Sequence, residues 1–298
     1  MMLIPASVNI CIPTYNSEKT LKATLNSLVG QTYQDIKIHI VDNASTDRTL
    51  EVARSVGDSR ITIHENTLHI PYCEGNWDRC FSYMVGEFGA IFHSDDVYLP
   101  TMIETQVKAL RFNPDICAVF TGAYFINKTG RIISELELPP EYRNKKVEAR
   151  DILISTLKHG CKLMCPSPLF RAGIFRGLAP FRYDRFRYSS DLDFWLRAAE
   201  ISKIMVLDGS LMMYRISSEQ ESTAIHHRRT SEAGLFPLCD HYVSKYPDLP
   251  SEALDKYEMR RLEDKVVCIR NSVKKFGSRL PKYLWWGFME KVFGEAHE

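Results

Sequence analysis

The 298-residue chain is short of several things that would have narrowed its role quickly. No stretch approaches the ~20 consecutive apolar residues of a membrane-spanning helix. Met1-Met2-Leu3-Ile4-Pro5 carries neither the basic segment nor the long apolar core of a secretory leader. Both absences lead to the expectation of a cytoplasmic protein. Charge imbalance is missing too: 38 Lys+Arg face 37 Asp+Glu, so electrostatics make no case for a nucleic-acid partner. There are eight cysteines but no Cys-x-x-Cys, which excludes a zinc ribbon. Cys161 and Cys165 alone are a weak metal signal, and the scatter favours reduced, buried thiols. Neither G-x-G-x-x-G nor G-x-x-x-x-G-K-[ST] occurs, so both common phosphate loops are absent. Internal repeats and low-complexity segments are also lacking.

What remains is ordinary globular material, 45% hydrophobic and 25% charged. Its first 120 residues alternate strand and helix signals. Val8 to Ile12 is β-rich and stops at Pro13; Leu21, Leu25 and Leu28 are spaced as on a helix that Gly30 ends. Strands are expected at Ile36–Val41, Ile61–Ile63, Gly89–Phe92 and Ile116–Phe120, with helices at Asp47–Val56, Asn76–Val85 and Thr101–Arg111. Strand–helix repetition with short loops implies a Rossmann-like α/β fold, a mostly parallel sheet flanked by helices. Beyond it the pattern changes. Tyr124 to Ser134 resembles a hairpin turning at Asn127-Lys128-Thr129-Gly130, and Glu135 to Lys146 reads as a polar loop around the site. Asp191 to Ile201 is a helix with Leu192, Trp195, Leu196 and Ala199 on one face, capped by Ser189 or Ser190. Past Arg228 the pattern is helical to the end, so the expected division is residues 1–223 and a helical extension, 224–298.

The chemistry concentrates in His93-Ser94-Asp95-Asp96, directly after the apolar run Gly89 to Phe92. Ligands of open α/β sheets sit at the carboxyl ends of strands. Two acids there need a cation, and a hard divalent ion bridging carboxylate and phosphate oxygens would balance them. Asp42 ends the second strand and can accept a hydrogen bond from a base or a ribose, or cap a helix; Asp47 suits the cap better. Pro13, Thr14 and Tyr15 end the first strand, where the loop can offer backbone groups and the Tyr15 ring to a base, or merely turn. Asp191 and Asp193 open one helix but point ~200° apart, so one at most faces a cleft squarely; Asp191 lies on the Trp195 side. Either could simply answer the helix dipole, yet a carboxylate there can also act as general base toward an alcohol. Arg215 precedes a polar loop, Ser217 to Thr223, that could close over a diphosphate, though a surface arginine fits as well. His226, His227, Arg228 and Arg229 form a basic cluster, read either as a solvated face or as a phosphate or metal contact. Lys274, Lys275, Arg279 and Lys282 precede Tyr283, Trp285, Trp286, Phe288 and Phe293, a composition that suits either an anionic membrane surface or packing on the domain.

Taken together, Pro13-Thr14-Tyr15-Asn16, Val41 to Asp47, His93 to Asp96 and Ser190 to Arg197 resemble the motifs of the family 2 glycosyltransferases in order and spacing. Gly75-Asn76-Trp77-Asp78-Arg79 is similar to a segment preceding the acid pair in some bacterial members. The resemblance covers residues 8 to about 223 and implies the GT-A fold with an inverting, metal-assisted mechanism. It implies that Asp42 and the Pro13–Tyr15 loop hold the base, Asp95 the ribose, Asp96 a Mg2+ or Mn2+ on the diphosphate, and that Asp191 is the base. The donor is then a nucleotide sugar, with UDP favoured, and the acceptor a saccharide or lipid-linked glycan in surface polysaccharide synthesis. The chain departs from the family pattern at Ile216 and Ser217, where many members carry a histidine, and at Ser190, where an acid usually precedes the base. No Q-x-x-R-W follows, which argues for addition of a single sugar. A nucleotidyltransferase would want a Gly-rich basic loop after the first strand. A non-catalytic scaffold would need none of Asp42, Asp95, Asp96 and Asp191.

Overall fold

The computed structural model describes residues 8–71, 73–216 and 231–277. β1 (Val8–Thr14) is buried along nearly its whole length, as a central parallel strand covered on both faces must be. α1 (Leu21–Val29) follows and buries Leu21, Thr24, Leu25 and Leu28, one face at helical spacing. β2 (Ile36–Asp42) pairs in parallel with β1, the register setting Thr14 opposite Asp42. α2 (Thr49–Ser55) leads to β3 (Ile61–Glu65), parallel to β2. α3 (Cys73–Cys80) and a short 3-10 turn precede β4 (Phe88–Ile91), which pairs with β1 on its other side. β5 (Val97–Tyr98) and α4 (Met102–Phe112) come next, the helix burying Met102, Ile103, Gln106, Val107 and Leu110.

β6 (Ile116–Ile126) merges the expected strand with the first arm of the expected hairpin, and β7 (Ile132–Glu135) is the second arm. The expected polar loop, Glu135 to Lys146, ends in β8 (Lys145–Val147), and α5 (Ala149–His159) follows it. β9 (Leu169–Arg171), α6 (Ala172–Leu178), α7 (Tyr183–Phe186) and α8 (Ser190–Ile201) lead into β10 (Lys203–Arg215). α8 starts where it was expected, but neither serine caps it through a side chain.

The ten strands among the described residues form one sheet, ordered β3-β2-β1-β4-β9-β6-β10-β5, with β7 on β6 and β8 on β10. β1 to β4, β6 and β10 run one way, and the four short strands β5, β7, β8 and β9 run against them. The mostly parallel sheet is thus present, with its antiparallel members confined to the half beyond β4. Helices cover both faces. One core gathers Leu21, Leu25 and Leu28 of α1 with Ile103 and Val107 of α4. The other gathers Ile152, Leu153 and Leu157 of α5, Phe194 and Trp195 of α8, and Leu238, Tyr242, Ala253 and Tyr257 from two C-terminal helices, Leu235–Val243 and Ser251–Gly277. No disulfide joins the described cysteines, and no described helix is long and apolar enough to cross a membrane.

Candidate active site

β1, β2 and β4 are neighbours and parallel, so Thr14, Asp42 and the residues after Ile91 emerge together at one edge of the sheet. The His93–Asp96 turn is held there from four directions. The Tyr98 hydroxyl accepts from His93 N–H (2.8 Å), and Ser17 and Ser94 share a 2.8 Å hydroxyl pair. Thr24 Oγ1 donates to the Asp96 carbonyl (2.7 Å), and the Arg215 backbone N–H donates to Asp96 Oδ1 (2.8 Å).

Asp96 is 0% exposed, yet among the described residues its Oδ2 has no hydrogen-bond partner, and neither has the buried Nε2 of His93. His93 Nδ1 lies 3.6 Å from that same Oδ2. Burial, and after it the charge of Asp95, pushes the Asp96 carboxyl well above the ordinary aspartate range; burial pulls His93 down. A buried, unsatisfied carboxylate oxygen is costly unless a cation compensates it. His93, Asp95 and Asp96 each offer a ligand atom within 4.8 Å of the others. Carboxylate oxygens and one imidazole suit a divalent metal such as Mn2+, so the donor set fits the expected ion.

Arg215 corrects the surface reading of this residue. It is 7% exposed, and its guanidinium donates to the carbonyls of Asp95 (2.7 Å), Asn127 (2.9 Å) and Lys128 (3.2 Å). It ties the acid turn to the β6–β7 hairpin.

Asp42 lies beneath the neighbouring loop, 1% exposed. Its Oδ1 accepts from Thr14 Oγ1 (3.2 Å) and Ser45 Oγ (2.6 Å), its Oδ2 from Ser45 N–H (2.9 Å). These bonds hold Ala44 at φ 59°, a left-handed conformation unusual for a residue with a Cβ. Carboxylate oxygens have about four acceptor sites in all, so Oδ2 keeps capacity for one more donor. Asp47 caps α2 in effect: its Oδ1 accepts from Thr49 N–H at 2.9 Å. Beside Asp42 runs a lattice of side-chain amides. Asn43 bonds both polar backbone groups of Ile70 (2.8 and 2.9 Å), Asn66 donates to Asn76 Oδ1 (2.9 Å), and Asn76 donates to the Val41 carbonyl (2.8 Å). This pins the chain after β3 so that His69 packs on the exposed Tyr15 ring, centroids 4.4 Å apart. Pro13 lies within β1 opposite Val41, and the strand runs one residue past it, to Thr14 opposite Asp42.

α8 brings the remaining acids. Asp193 is 0% exposed and bound to Arg197 Nε (2.8 Å) and the Tyr242 hydroxyl (2.9 Å), so it is a buried structural carboxylate. Asp191, two residues earlier, is half-buried. Burial raises its carboxyl above the ordinary range, opposed by hydrogen bonds from Leu192 N–H (2.7 Å) and the Cys165 thiol. Phe170, Phe175, Phe181 and Phe194 stack around Trp195 and each other at 4.3 to 6.5 Å, fixing how α8 presents Asp191.

The sheet edge therefore gathers Pro13, Thr14, Tyr15, Asp42, Asp95 and Asp96, while Asp191 stands in the first turn of α8 beside the Cys165 thiol. Ser217 to Thr223, His226, His227, Arg228, Arg229 and the aromatic segment from Arg279 onward lie outside the described residues. Three contributors were given no role of their own from the sequence. His93 was visible as a ligand type one position before Ser94. Trp77, whose ring is 5.1 Å from that of His93, carried no signal beyond its place in Gly75–Arg79. The amide lattice carried none at all.

The family model described as Glycosyl transferase family 2 matches residues 9–169, more than half of the chain. RP339, an uncharacterised glycosyltransferase of Rickettsia prowazekii, is 27% identical over 281 residues, 93% of this chain and 79% of its own. Among solved structures, S. aureus TarS residues 1–349 in complex with UDP superposes with TM-score 0.59 at 18% identity, covering 91% of this chain and 72% of that one. The chain spans 41% of a longer TarS structure. The mannosyltransferase PcManGT of Pyrobaculum calidifontis, in complex with GDP-Man and Mn2+, superposes with TM-score 0.58 at 15% identity, covering 96% and 80%. These likenesses identify the fold as GT-A.

Proposed function

The chain belongs to glycosyl transferase family 2 and is a glycosyltransferase, and on that premise we propose that it moves one sugar from a nucleoside diphosphate donor, UDP for preference, to a hydroxyl of a saccharide or lipid-linked glycan in surface polysaccharide synthesis. The observation that carries the reading is the buried Asp96 oxygen without a donor, grouped with His93 and Asp95 at the sheet edge.

Asp96, with His93 and Asp95, would hold Mg2+ or Mn2+. When bound, the ion neutralises the charge that develops on the departing diphosphate. Asp42 offers Oδ2 to an N–H of the base, and the Tyr15 ring with His69 forms an aromatic wall beside it. Asp95 takes the ribose. Arg215 keeps the acid turn in register by holding the Asp95 carbonyl and Asp96 Oδ1. Asp191 accepts the acceptor's hydroxyl proton as the new bond forms in line with the leaving group, which inverts the anomeric centre. Residues 1–223 form the transferase unit and 224–298 a helical extension. The protein works in the cytoplasm, and its basic, aromatic C-terminal segment rests on the inner face of the membrane where a lipid-linked acceptor would lie. PcManGT, in complex with GDP-Man and Mn2+, supports a nucleotide sugar and a divalent ion as ligands.

Calorimetric titration with UDP, GDP and dTDP, with and without Mn2+, tests this on the intact protein and on Asp96→Ala. Metal-dependent binding of one nucleotide, lost in the variant, is expected and names the donor class. Absence of binding by all three would overturn the donor site.

A further inference from the structure

A carboxylate that takes a proton from an acceptor hydroxyl must present an oxygen to it, whereas an unheld aspartate side chain turns between rotamers. Two contacts restrain Asp191. Its Oδ1 accepts from the Leu192 N–H at 2.7 Å, and the Cys165 thiol donates to the carboxylate from the segment before β9. That thiol does not ride on a loose loop. Met164 to Ser167 is a turn in which the Ser167 N–H (3.0 Å) and hydroxyl (2.9 Å) both donate to the Met164 carbonyl. Pro166 follows Cys165 and narrows the backbone angles open to it. The turn is anchored in the core. Gln106 of α4, fully buried, donates through Nε2 to the Ser167 carbonyl (2.7 Å) and to the Val119 carbonyl of β6 (2.9 Å). Just beyond, the chain enters β9, where Leu169 pairs with Val119. Cys165 is thus a half-buried thiol on a fixed support beside the base. The neighbouring titratable groups are engaged elsewhere: Asp193 with Arg197 and the Tyr242 hydroxyl, and the Cys161 thiol with the Leu163 carbonyl (3.5 Å).

On the reading of Asp191 as the base, on which this rests, we propose that Cys165 is a positioning residue for the sugar transfer, its thiol holding the Asp191 carboxylate in the orientation that receives the acceptor's hydroxyl proton. Sulfur suits the task. An S–H is a weak donor, so it sets a direction while taking little basicity from the carboxylate. A lysine or arginine in its place would bind the charge more strongly and oppose proton uptake. The contact also favours the ionised carboxyl, because a thiol donates and a carboxylate only accepts. It therefore works against burial, which favours the protonated form. Sulfur takes no covalent part, and its own proton stays in place, since a thiolate beside Asp191 would set two negative charges together.

NMR of the aspartate carboxyl carbons in the full-length protein reads the Asp191 titration directly, with Asp191→Asn identifying its signal. Cys165→Ala is expected to move the midpoint upward. Cys165→Ser restores a donor and is expected to bring it back to the parent value or below. Hydrolysis of UDP-GlcNAc in Mn2+, with water as the acceptor, supplies the rate. Cys165→Ala should lower kcat about tenfold with KM unchanged, most of it recovered in Cys165→Ser. Unchanged circular dichroism and unchanged UDP binding in both variants would show that fold and donor site are intact. An Asp191 midpoint that stays put or falls in Cys165→Ala overturns the proposal. Equal losses of rate in the alanine and serine variants, the mark of a packing role alone, overturn it too. Failure of the reading beneath it has a different signature: Asp191→Asn would keep its rate while the midpoint still moved with Cys165, which would remove the base and the positioning role together.

Discussion

Asp191 sits where burial opposes ionisation, and a base must be ionised to work. With its carboxyl raised above the ordinary ~3.9 of aspartate, it loses its charge as the pH falls through a range where free aspartate would keep it. Turnover should therefore decline on acidification sooner than an ordinary aspartate would dictate, and recover as pH rises. Asp191→Asn should lower kcat by roughly 10^2- to 10^4-fold while leaving nucleotide affinity unchanged. Steady-state kinetics across pH, with calorimetry alongside, check both. A variant that kept its rate, or lost nucleotide binding in step with rate, would sink the assignment. At this scale, residues that end a strand beside an acid were legible from the sequence, because strand ends and charge are local properties. The interplay of Asp42 with Thr14 and of Arg215 with Asp95 was not, since those partners lie 28 and 120 positions apart in the chain.

Among the elements, α8 does two jobs with two acids. Its Asp193 has no exposed surface and joins Arg197, itself nearly buried, to the Tyr242 hydroxyl of the helix Leu235–Val243. Removing one partner of a buried pair leaves the other charge uncompensated, which costs about 3–5 kcal/mol. Asp193→Ala should lose that much stability in urea unfolding, while Asp191→Asn, at a half-buried position, should stay within about 1 kcal/mol of the parent. Equal losses in the two would contradict the division. The spacing of Leu192, Trp195, Leu196 and Ala199 revealed α8 from sequence because its periodicity runs unbroken. α5 follows the polar, proline-bearing stretch Glu135 to Lys146 and was not read from the sequence, yet a local signal existed: Glu148 and Asp151 form a reciprocal cap at its start. β6 came out longer than expected because it runs beside β10, and strand length is settled by a neighbour rather than by composition.

On the scale of the whole molecule, one core runs from the sheet through α5 and α8 into the two C-terminal helices. Leu238, Tyr242, Ala253 and Tyr257 are buried among residues of the transferase sheet and its helices. A shared core predicts a single cooperative unfolding transition, with calorimetric and van't Hoff enthalpies in agreement. An earlier, separate transition of the C-terminal helices would refute it. The alternation of strand and helix announced the parallel half of the sheet, and a turn announced β7; the antiparallel strands β5, β8 and β9, two or three residues each, were too short to leave a pattern. One of those short strands governs how the protein behaves in a tube. Among the described residues β7 pairs with β6 alone, and it turns Ile132 and Ile133, 49% and 54% exposed, toward solvent. An open apolar strand edge is a template for adding further strands. With a net charge of only +1, little electrostatic repulsion keeps molecules apart at neutral pH. Colloidal stability therefore rests on a four-residue ribbon, where a single lysine in place of Ile133 would do more for solubility than any change in the core.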